Sequence, residues 1–168
     1  GDVIHNLRST LDLMASELAR INGKGDKDVY FPFASSEEEL GGQIERRKFS
    51  RAGEDAEALL RTFKPYRGGN VALRAIHDYD ILDKHTALVP TAQGIRTVFE
   101  IPIRDGSLQP EMATVCHDPE SLKLMFPDDS PFGGDEVVPT LELLVELVDG
   151  IVESFARLVA ARGDPSKP

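Results

Sequence analysis

Two stretches of the sequence carry the polar residue types that catalysis and ligand binding commonly use. In the first stretch, the spacing i, i+3, i+4 and i+7 places four of them on one face of a predicted helix: His5, Arg8, Ser9 and Asp12. A plain solvent-exposed helix face is usually rich in Glu and Lys. The mixture of imidazole, guanidinium, hydroxyl and carboxylate groups therefore favours a site with hydrogen-bonding roles. A solvated face with an Arg8–Asp12 ion pair at i, i+4 is the alternative.

The second stretch lies on a helix predicted between residues 71 and about 88. Two of the four histidines and three aspartates fall within nine residues there, His77-Asp78-Tyr79-Asp80-Ile81-Leu82-Asp83-Lys84-His85. Helical spacing places His77, Asp80 and Lys84 on one side of this helix. His85 flanks apolar residues, so we expect it to point at the interior of a helical bundle or its rim. A surface ladder of ion pairs is again the alternative.

These two polar rows supply the candidate site residues. The candidate catalytic residues are Arg8, Asp12 and His85. The candidate binding residues are His5, Asn6, Ser9, His77, Asp80, Asp83 and Lys84. Two helices that pack by their apolar stripes bring the borders of those stripes together. We therefore expect Arg8 and Asp12 to face Asp83 or His85.

The spacing gives little support to a metal site. His77 and Asp80, at i and i+3, could share a metal with His5 or Asp12 from a facing helix. The sequence holds neither a His-x-x-x-His nor a Glu-x-x-His pair. It also lacks a P-loop and a Gly-x-Ser-x-Gly motif. We therefore predict no bound metal and no cofactor.

The composition narrows the class of protein. Nineteen basic against twenty-nine acidic residues give a formal net charge of −10, which disfavours broad, sequence-blind phosphate binding. No apolar run approaches the ~20 residues of a membrane span. A single cysteine, Cys116, excludes an internal disulfide and suits a reducing compartment. These features predict a cytoplasmic protein that does not cross a membrane.

Hydrophobic periodicity predicts the elements that must position the polar rows. The first helix has an apolar stripe formed by Ile4, Leu7, Leu11, Met14, Leu18 and Ile21. The last helix has one formed by Leu141, Leu144, Val148, Ile151, Val152, Phe155 and Val159. Between these helices, alternation over residues 95–103 predicts a strand that pairs with residues 112–117, and residues 122–126 could add a third strand. Phe31-Pro32-Phe33 reads as an edge or extended segment because proline lacks the N–H of a central strand.

The predicted fold class is accordingly mainly α (α+β), a helical bundle with a small antiparallel β-sheet inserted before the C-terminal helix. We expect a single helical domain over residues 1–163, with the β insertion at about 95–127 and a flexible tail at 164–168. The first helix is hydrophobic and begins directly at the start of the sequence, which has no initiator methionine. This start indicates a fragment of a longer protein.

Several motifs resemble those of a family of uncharacterised bacterial and phage proteins. The stretch Gly1-Asp2-Val3-Ile4-His5-Asn6-Leu7-Arg8-Ser9-Thr10-Leu11-Asp12 resembles that family's "GD-x-x-H-N-L-R-S-A-L-D-H-L". The similarity continues at Phe31-Pro32-Phe33, at Phe63-Lys64-Pro65-Tyr66 and at Asp83-Lys84-His85. It covers about residues 1–90, and members of the family usually carry an extra N-terminal segment.

The family's Arg-x4-His spacing is similar to the signature of HEPN domains, all-helical modules that often act as metal-independent ribonucleases in toxin and defence systems. Leu13 stands where that motif has its histidine, and Thr86 replaces the arginine that follows Asp-Lys-His. Leucine can neither transfer a proton nor orient an RNA 2′-hydroxyl. The resemblance therefore implies a catalytically dead copy, unless His85 takes over from the neighbouring helix.

Three functions remain open at this point. The first is a non-catalytic interaction or structural module in which the polar rows form a buried network between two helices. The second is a HEPN-like RNA-binding protein or degenerate ribonuclease. The third is a small-ligand or metal-binding pocket at the same residues. Possible partners are an RNA, another protein, or a second copy in a homodimer formed through the first or the last helix, since the last apolar stripe is wider than one neighbour would bury.

Overall fold

The computed structural model describes the backbone of residues 2–85, 91–93, 97–100, 103–104, 107–108, 114–117 and 123–163, and the side chains of residues 2–81 and 123–163. The chain divides into two compact units. The first unit comprises Gly1–Leu88 and Thr140–Pro168, and the second comprises Val89–Pro139. The predicted insertion at 95–127 lies within the second unit. The predicted tail at 164–168 lies outside the described residues.

Helices dominate the described chain, which confirms the prediction of a mainly α protein. The helices are α1 (Asp2–Ile21), α2 (Glu37–Arg46), α3 (Glu54–Thr62), α4 (Val71–His85) and α5 (Val137–Arg162). A short 3-10 helix (Phe49–Ala52) lies between α2 and α3. The sequence analysis missed this 3-10 helix, because four residues are too few to show a hydrophobic period.

Helix α1 buries most of its predicted apolar stripe. Leu7, Leu11 and Leu18 are buried, and the helix packs against α4 and the 3-10 helix. Along one edge of the stripe burial is incomplete, since Met14 is only partly buried and Ile21 is 47% exposed. The apolar surface of α1 is therefore wider than the core that it contacts.

Packing and capping explain why α2 and α4 form where they do. Helix α2 continues through Gly41-Gly42 because Leu40 and Ile44 are buried on one face. At the start of α4, Asn70 Oδ1 accepts a hydrogen bond from the Leu73 N–H at 2.9 Å and so caps the helix. Helix α4 is described as far as His85, so the predicted extension to 88 lies outside the described residues.

Aromatic rings join the helices in the core of the first unit. The Phe49 ring lies 6.2 Å from the Phe31 ring and 6.1 Å from the Phe155 ring, in edge-to-face geometry. Phe63 contacts Phe155 from the other side at 5.8 Å. The segment that contains Phe31 and the C-terminal helix α5 therefore share one core.

An ion pair fixes the end of α5 to the start of α3. Arg162 donates to both carboxylate oxygens of Asp55, at 2.8 and 2.5 Å, and to the Ala52 carbonyl oxygen at 2.7 Å. The Arg162 guanidinium lowers the pKa of the Asp55 carboxyl.

In the part of the chain that is described, no helix combines the length and apolar character needed to cross a membrane.

Among its described residues, the second unit contains six short strands that pair two by two. They are β1 (Thr91–Gln93), β2 (Thr97–Glu100), β3 (Ile103–Arg104), β4 (Ser107–Leu108), β5 (Thr114–His117) and β6 (Lys123–Met125). The antiparallel pairs are β1 with β6, β2 with β5, and β3 with β4. The predicted pairing of the first alternating segment with residues 112–117 thus occurs between β2 and β5.

The prediction of one small sheet is not supported, because within the described residues these three pairs do not join. Of the predicted strand at 95–103, the described residues belong to β2 and to the first residue of β3. The predicted third strand is present as β6, but its partner is β1, a segment too short to show a period of two.

We predict that two leucines of α1, two residues apart, differ sharply in their contribution to stability. Leu11 is fully buried and Leu13 is 71% exposed. Leu11→Ala removes packed methyl groups from a rigid core and should lower the free energy of unfolding by about 2–5 kcal/mol. Leu13→Ala is the matched control and should change it by less than about 0.5 kcal/mol. Urea denaturation of both variants measures the difference, and equal losses would contradict the described burial of α1.

Candidate functional site

The two polar rows meet where His5 of α1 contacts Asp80 of α4. His5 Nδ1 lies 2.8 Å from Asp80 Oδ1. The carboxylate accepts, so Nδ1 carries the shared proton. Asp80 is buried, whereas the His5 side chain is 55% exposed. A buried carboxylate therefore orients an imidazole that remains accessible to solvent.

Arg8 and Asp12 hold the backbone of Phe31 from both sides. Arg8 Nη1 donates to Asp12 Oδ1 at 2.5 Å, and the same oxygen accepts the Phe31 N–H at 2.8 Å. Arg8 Nη2 donates to the Phe31 carbonyl oxygen at 3.3 Å. We call this arrangement of Arg8, Asp12 and the Phe31 backbone the Phe31 clamp. It satisfies both polar groups of a residue that is fully buried.

The Phe33 ring links the clamp to α4. The Arg8 guanidinium carbon lies 4.7 Å from the Phe33 ring centroid, within cation–π range. The His77 ring is stacked on Phe33, with centroids 4.8 Å apart and planes 7° from parallel. One phenylalanine therefore touches a polar-row residue from each helix.

Helix α4 holds the same segment three residues after Phe31. Arg74 Nη1 donates to the Ala34 carbonyl oxygen at 2.9 Å, and its Nη2 donates to Asp78 Oδ1 at 2.7 Å. The Ala34 N–H donates to the Pro65 carbonyl oxygen at 3.0 Å. Segment 31–34 is thus hydrogen-bonded at one end by the Phe31 clamp and at the other end by Arg74 of α4 and by the Pro65 carbonyl oxygen in the turn after α3.

Burial and positive neighbours keep His77 uncharged. Burial is the larger cause and the guanidinium groups of Arg74 and Arg8 add to it, lowering the pKa of His77 to about 4. Asp78 opposes this shift only in part. His77 Nδ1 is buried and has no hydrogen-bond partner among the described residues. At neutral pH His77 therefore acts as a flat apolar ring packed on Phe33.

A cavity of about 350 Å³ opens beside the clamp on the outer side of α1. Its lining combines hydroxyl, carboxylate and apolar groups, from Ser9, Asp12, Leu13, Ser16, Asp26, Asp28, Val29 and Tyr30. Leu13 lies on its exposed rim. The position at which the resembled family has histidine is therefore next to a cavity that the Asp12 carboxylate reaches.

The structure brings together only some of the predicted site residues. His5 with Asp80 and Arg8 with Asp12 form contacts, and His77 joins them through Phe33. Asn6 is exposed, and its carbonyl oxygen accepts the Thr10 hydroxyl at 2.9 Å. The side chains of Asp83, Lys84 and His85 lie outside the described residues, so the expected approach of Arg8 and Asp12 to Asp83 or His85 stays a prediction.

The sequence analysis did not identify Phe31 and Phe33 as parts of this network. It predicts Phe31-Pro32-Phe33 as an edge or extended segment and as a motif of the resembled family, and nothing in its spacing shows that side chains bind its backbone. Among the residues with described side chains, no group of three or more His, Cys, Asp or Glu residues could hold a metal ion.

Comparison of the chain with protein-family models, with curated proteins and with solved structures gives no match. The resemblance to the bacterial and phage family, and through it to HEPN domains, therefore depends on the quoted motifs alone.

We predict that Arg8 and Asp12 are strongly coupled in stability. In a double-mutant cycle of Arg8→Ala and Asp12→Ala, the coupling should be about 1–3 kcal/mol, because the pair joins a buried guanidinium to a carboxylate that is only 25% exposed. The control is Arg61 with Glu57, another Arg–carboxylate pair at i, i+4 that is more exposed. Its coupling should be about 0.3–0.5 kcal/mol. Equal coupling in both cycles would show that the Phe31 clamp adds nothing beyond a surface ion pair.

We also predict that His77 makes the protein sensitive to acid. The unfolded chain binds a proton near pH 6.5, whereas folded His77 does so only near pH 4. Stability from this residue is therefore complete above pH 6.5 and is lost as the pH falls towards 4, by at most about 1.4 kcal/mol per pH unit. His77→Phe keeps a ring against Phe33 and should flatten this part of the curve of unfolding free energy against pH. If the unfolding free energy fell equally steeply with pH in the unmodified chain and in His77→Phe, the lowered pKa of His77 would be contradicted.

Proposed function

We propose that this chain is a non-catalytic interaction module whose polar rows have a structural role. The observation that carries the proposal is the Phe31 clamp. Arg8 is only 7% exposed, and its guanidinium already binds Asp12, the Phe31 carbonyl oxygen and the Phe33 ring. One Asp12 oxygen accepts two hydrogen bonds within the fold. These groups are already hydrogen-bonded within the fold, where they hold segment 31–34 between α1 and α4.

The charge distribution supports the same proposal. Binding of an RNA phosphate needs exposed cations. Two arginines of this face, Arg8 and Arg74, have largely buried side chains that donate to backbone carbonyl oxygens. A third, Arg67, is 66% exposed, but its Nη2 already lies 3.7 Å from Asp78 Oδ1. The chain as a whole carries a formal charge of −10, so an RNA approaching this face would meet an unfavourable net field.

One observation favours a second candidate function, a HEPN-like RNA-directed protein that is degenerate or altered. The His5–Asp80 pair has the arrangement of a general base, an accessible imidazole oriented by a buried carboxylate. The cavity beside Asp12 has Leu13 at the position of the motif's histidine. In this candidate, the leucine removes one proton-transfer group and His5 supplies another.

RNA cleavage separates the two candidates. We predict that the unmodified chain does not cleave single-stranded RNA oligonucleotides in EDTA, because Leu13 cannot transfer a proton, a loss worth about 10²–10⁴-fold in rate. Leu13→His tests for an active ancestor, and it is well tolerated structurally because this position is exposed. Leu13→Gln is the polar control.

Robust cleavage by the unmodified chain that is abolished by His5→Ala would overturn the proposed function. If the Leu13→His variant cleaves RNA and the unmodified chain does not, the chain descends from an active enzyme of the second kind and has itself lost the activity. The structural proposal also requires that Arg8→Lys lowers stability, because an ammonium group cannot bind Asp12 and the Phe31 carbonyl oxygen in the same fork geometry. An Arg8→Lys protein of unchanged stability and reduced RNA affinity would contradict it.

A further inference from the structure

An apolar groove runs between α1 and α5 on the first unit, away from the polar rows. It has a volume of about 350 Å³ and is lined by Met14, Glu17, Leu18, Ile21, Val152, Phe155, Ala156 and Val159. We call it the α1–α5 groove. Its lining spans seven residue steps along each helix, about 10 Å or two helical turns. These dimensions fit two turns of one additional helix.

The floor of the groove is held in place by the core. Leu18 and Phe155 are almost fully buried, and the Phe155 ring is packed against Phe49 and Phe63. The rim is accessible, with Ile21 47% exposed and Ala156 exposed as well. Because the floor is rigid, a ligand would bind without a large cost of ordering the groove.

The border of the groove on α5 is acidic. Four exposed carboxylates follow the spacing i, i+4, i+7 and i+11 along this helix, Glu142, Glu146, Asp149 and Glu153. Asp149 and Glu153 lie one turn before Val152 and Ala156 of the lining. Glu153 makes a loose, exposed pair with Arg157 at 3.5 Å. Within the described part of the chain, the other three have no ion-pair partner.

The border on α1 is nearly neutral by contrast. Both carboxylate oxygens of Glu17 accept hydrogen bonds from Arg20. These bonds lower the pKa of the Glu17 carboxyl, so it remains charged and paired. The unpaired negative charge therefore lies along the α5 side, and a bound helix would need its positive charges on that side only.

We propose that the α1–α5 groove binds a basic amphipathic helix of a partner protein. The occupant presents large apolar side chains at i, i+3 or i+4, and i+7 to the groove, and Lys or Arg residues to the acidic row of α5. This proposal deepens the interaction role proposed above and rests on it. It names the chemistry of the partner, whereas the clamp explains only how the module is held together.

A second copy of the chain fits the groove less well. Each copy carries a formal charge of −10, and the exposed face of its own α5 is the same acidic row. An isologous contact would bring copies of one surface together, so it supplies no basic row to face these carboxylates. A nucleic acid is excluded as occupant by the same negative charge.

Binding of a defined peptide to the full chain tests the proposal. The probe is a fluorescent amphipathic peptide of about 15 residues with Leu at the apolar positions and Lys elsewhere. The matched peptide has Glu in place of every Lys. Fluorescence anisotropy at low ionic strength should show saturable binding of the Lys peptide at least about tenfold tighter than that of the Glu peptide, a difference of about 1.4 kcal/mol.

Variants of the chain separate groove binding from simple attraction to an acidic protein. Ala156→Trp fills the groove from an exposed position, and the pair Asp149→Lys with Glu153→Lys reverses its border. Each should weaken the Lys peptide about tenfold or more. The control pair, Glu39→Lys with Glu54→Lys, reverses two exposed charges on other helices and should leave binding unchanged. Circular dichroism confirms that all variants are folded.

Three results would overturn the inference: equal affinity for both peptides, full binding by Ala156→Trp, or an equal loss in the control pair. A dimer of the unmodified chain in light scattering that Ala156→Trp dissociates would instead identify a second copy as the occupant. None of these results affects the Arg8–Asp12 coupling or the RNA assay. Failure of the groove proposal is therefore distinguishable from failure of the proposed function.

Discussion

A backbone segment that enters a protein core outside a helix or sheet must find partners for its N–H and C=O groups, because each unpaired buried group costs about 1–3 kcal/mol. Segment 31–34 is in this position, since Phe31 through Ala34 are buried and no strand of the described residues lies beside Phe31. The Phe31 clamp supplies the missing partners from side chains of α1. The packing of Phe33 against Arg8 and His77, and the contact of Phe31 with Phe49, both depend on that anchoring.

This constraint gives a physical reason for a polar row beside an apolar stripe. The same set of residue types is found in catalytic sites, where groups must be free to act on a ligand. Here Arg8 donates to a carboxylate and a carbonyl oxygen, and its positive charge helps to keep His77 neutral. The apolar groove of the first unit lies elsewhere, between α1 and α5, where apolar side chains of these two helices extend beyond the core.

The sequence predicts the long helices well because their burial repeats along many turns. The first helix ends at Ile21, the last residue of its predicted apolar stripe. The sequence predicts the strands of the second unit less well, because short segments show no clear hydrophobic period. The strands described in the second unit are two to four residues long, too short for a period of two to fix their bounds. For the candidate site, spacing identified His5, Arg8, Asp12 and Asp80 as members of polar rows. Their contacts with segment 31–34 could not be predicted, because a backbone partner 19 or 23 residues away leaves no periodic signal.

Native-state hydrogen exchange of the Phe31 amide tests the structural role of the clamp most directly. The Phe31 N–H donates to a side chain, Asp12 Oδ1 at 2.8 Å, and not to a neighbouring strand or helix. If the clamp is a permanent part of the core, this amide should exchange only through global unfolding, with the same opening free energy as the amide of Leu11 in the middle of α1. Exchange of the Phe31 amide at rates close to those of the exposed loop at 23–28, while Leu11 remains protected, would contradict the account.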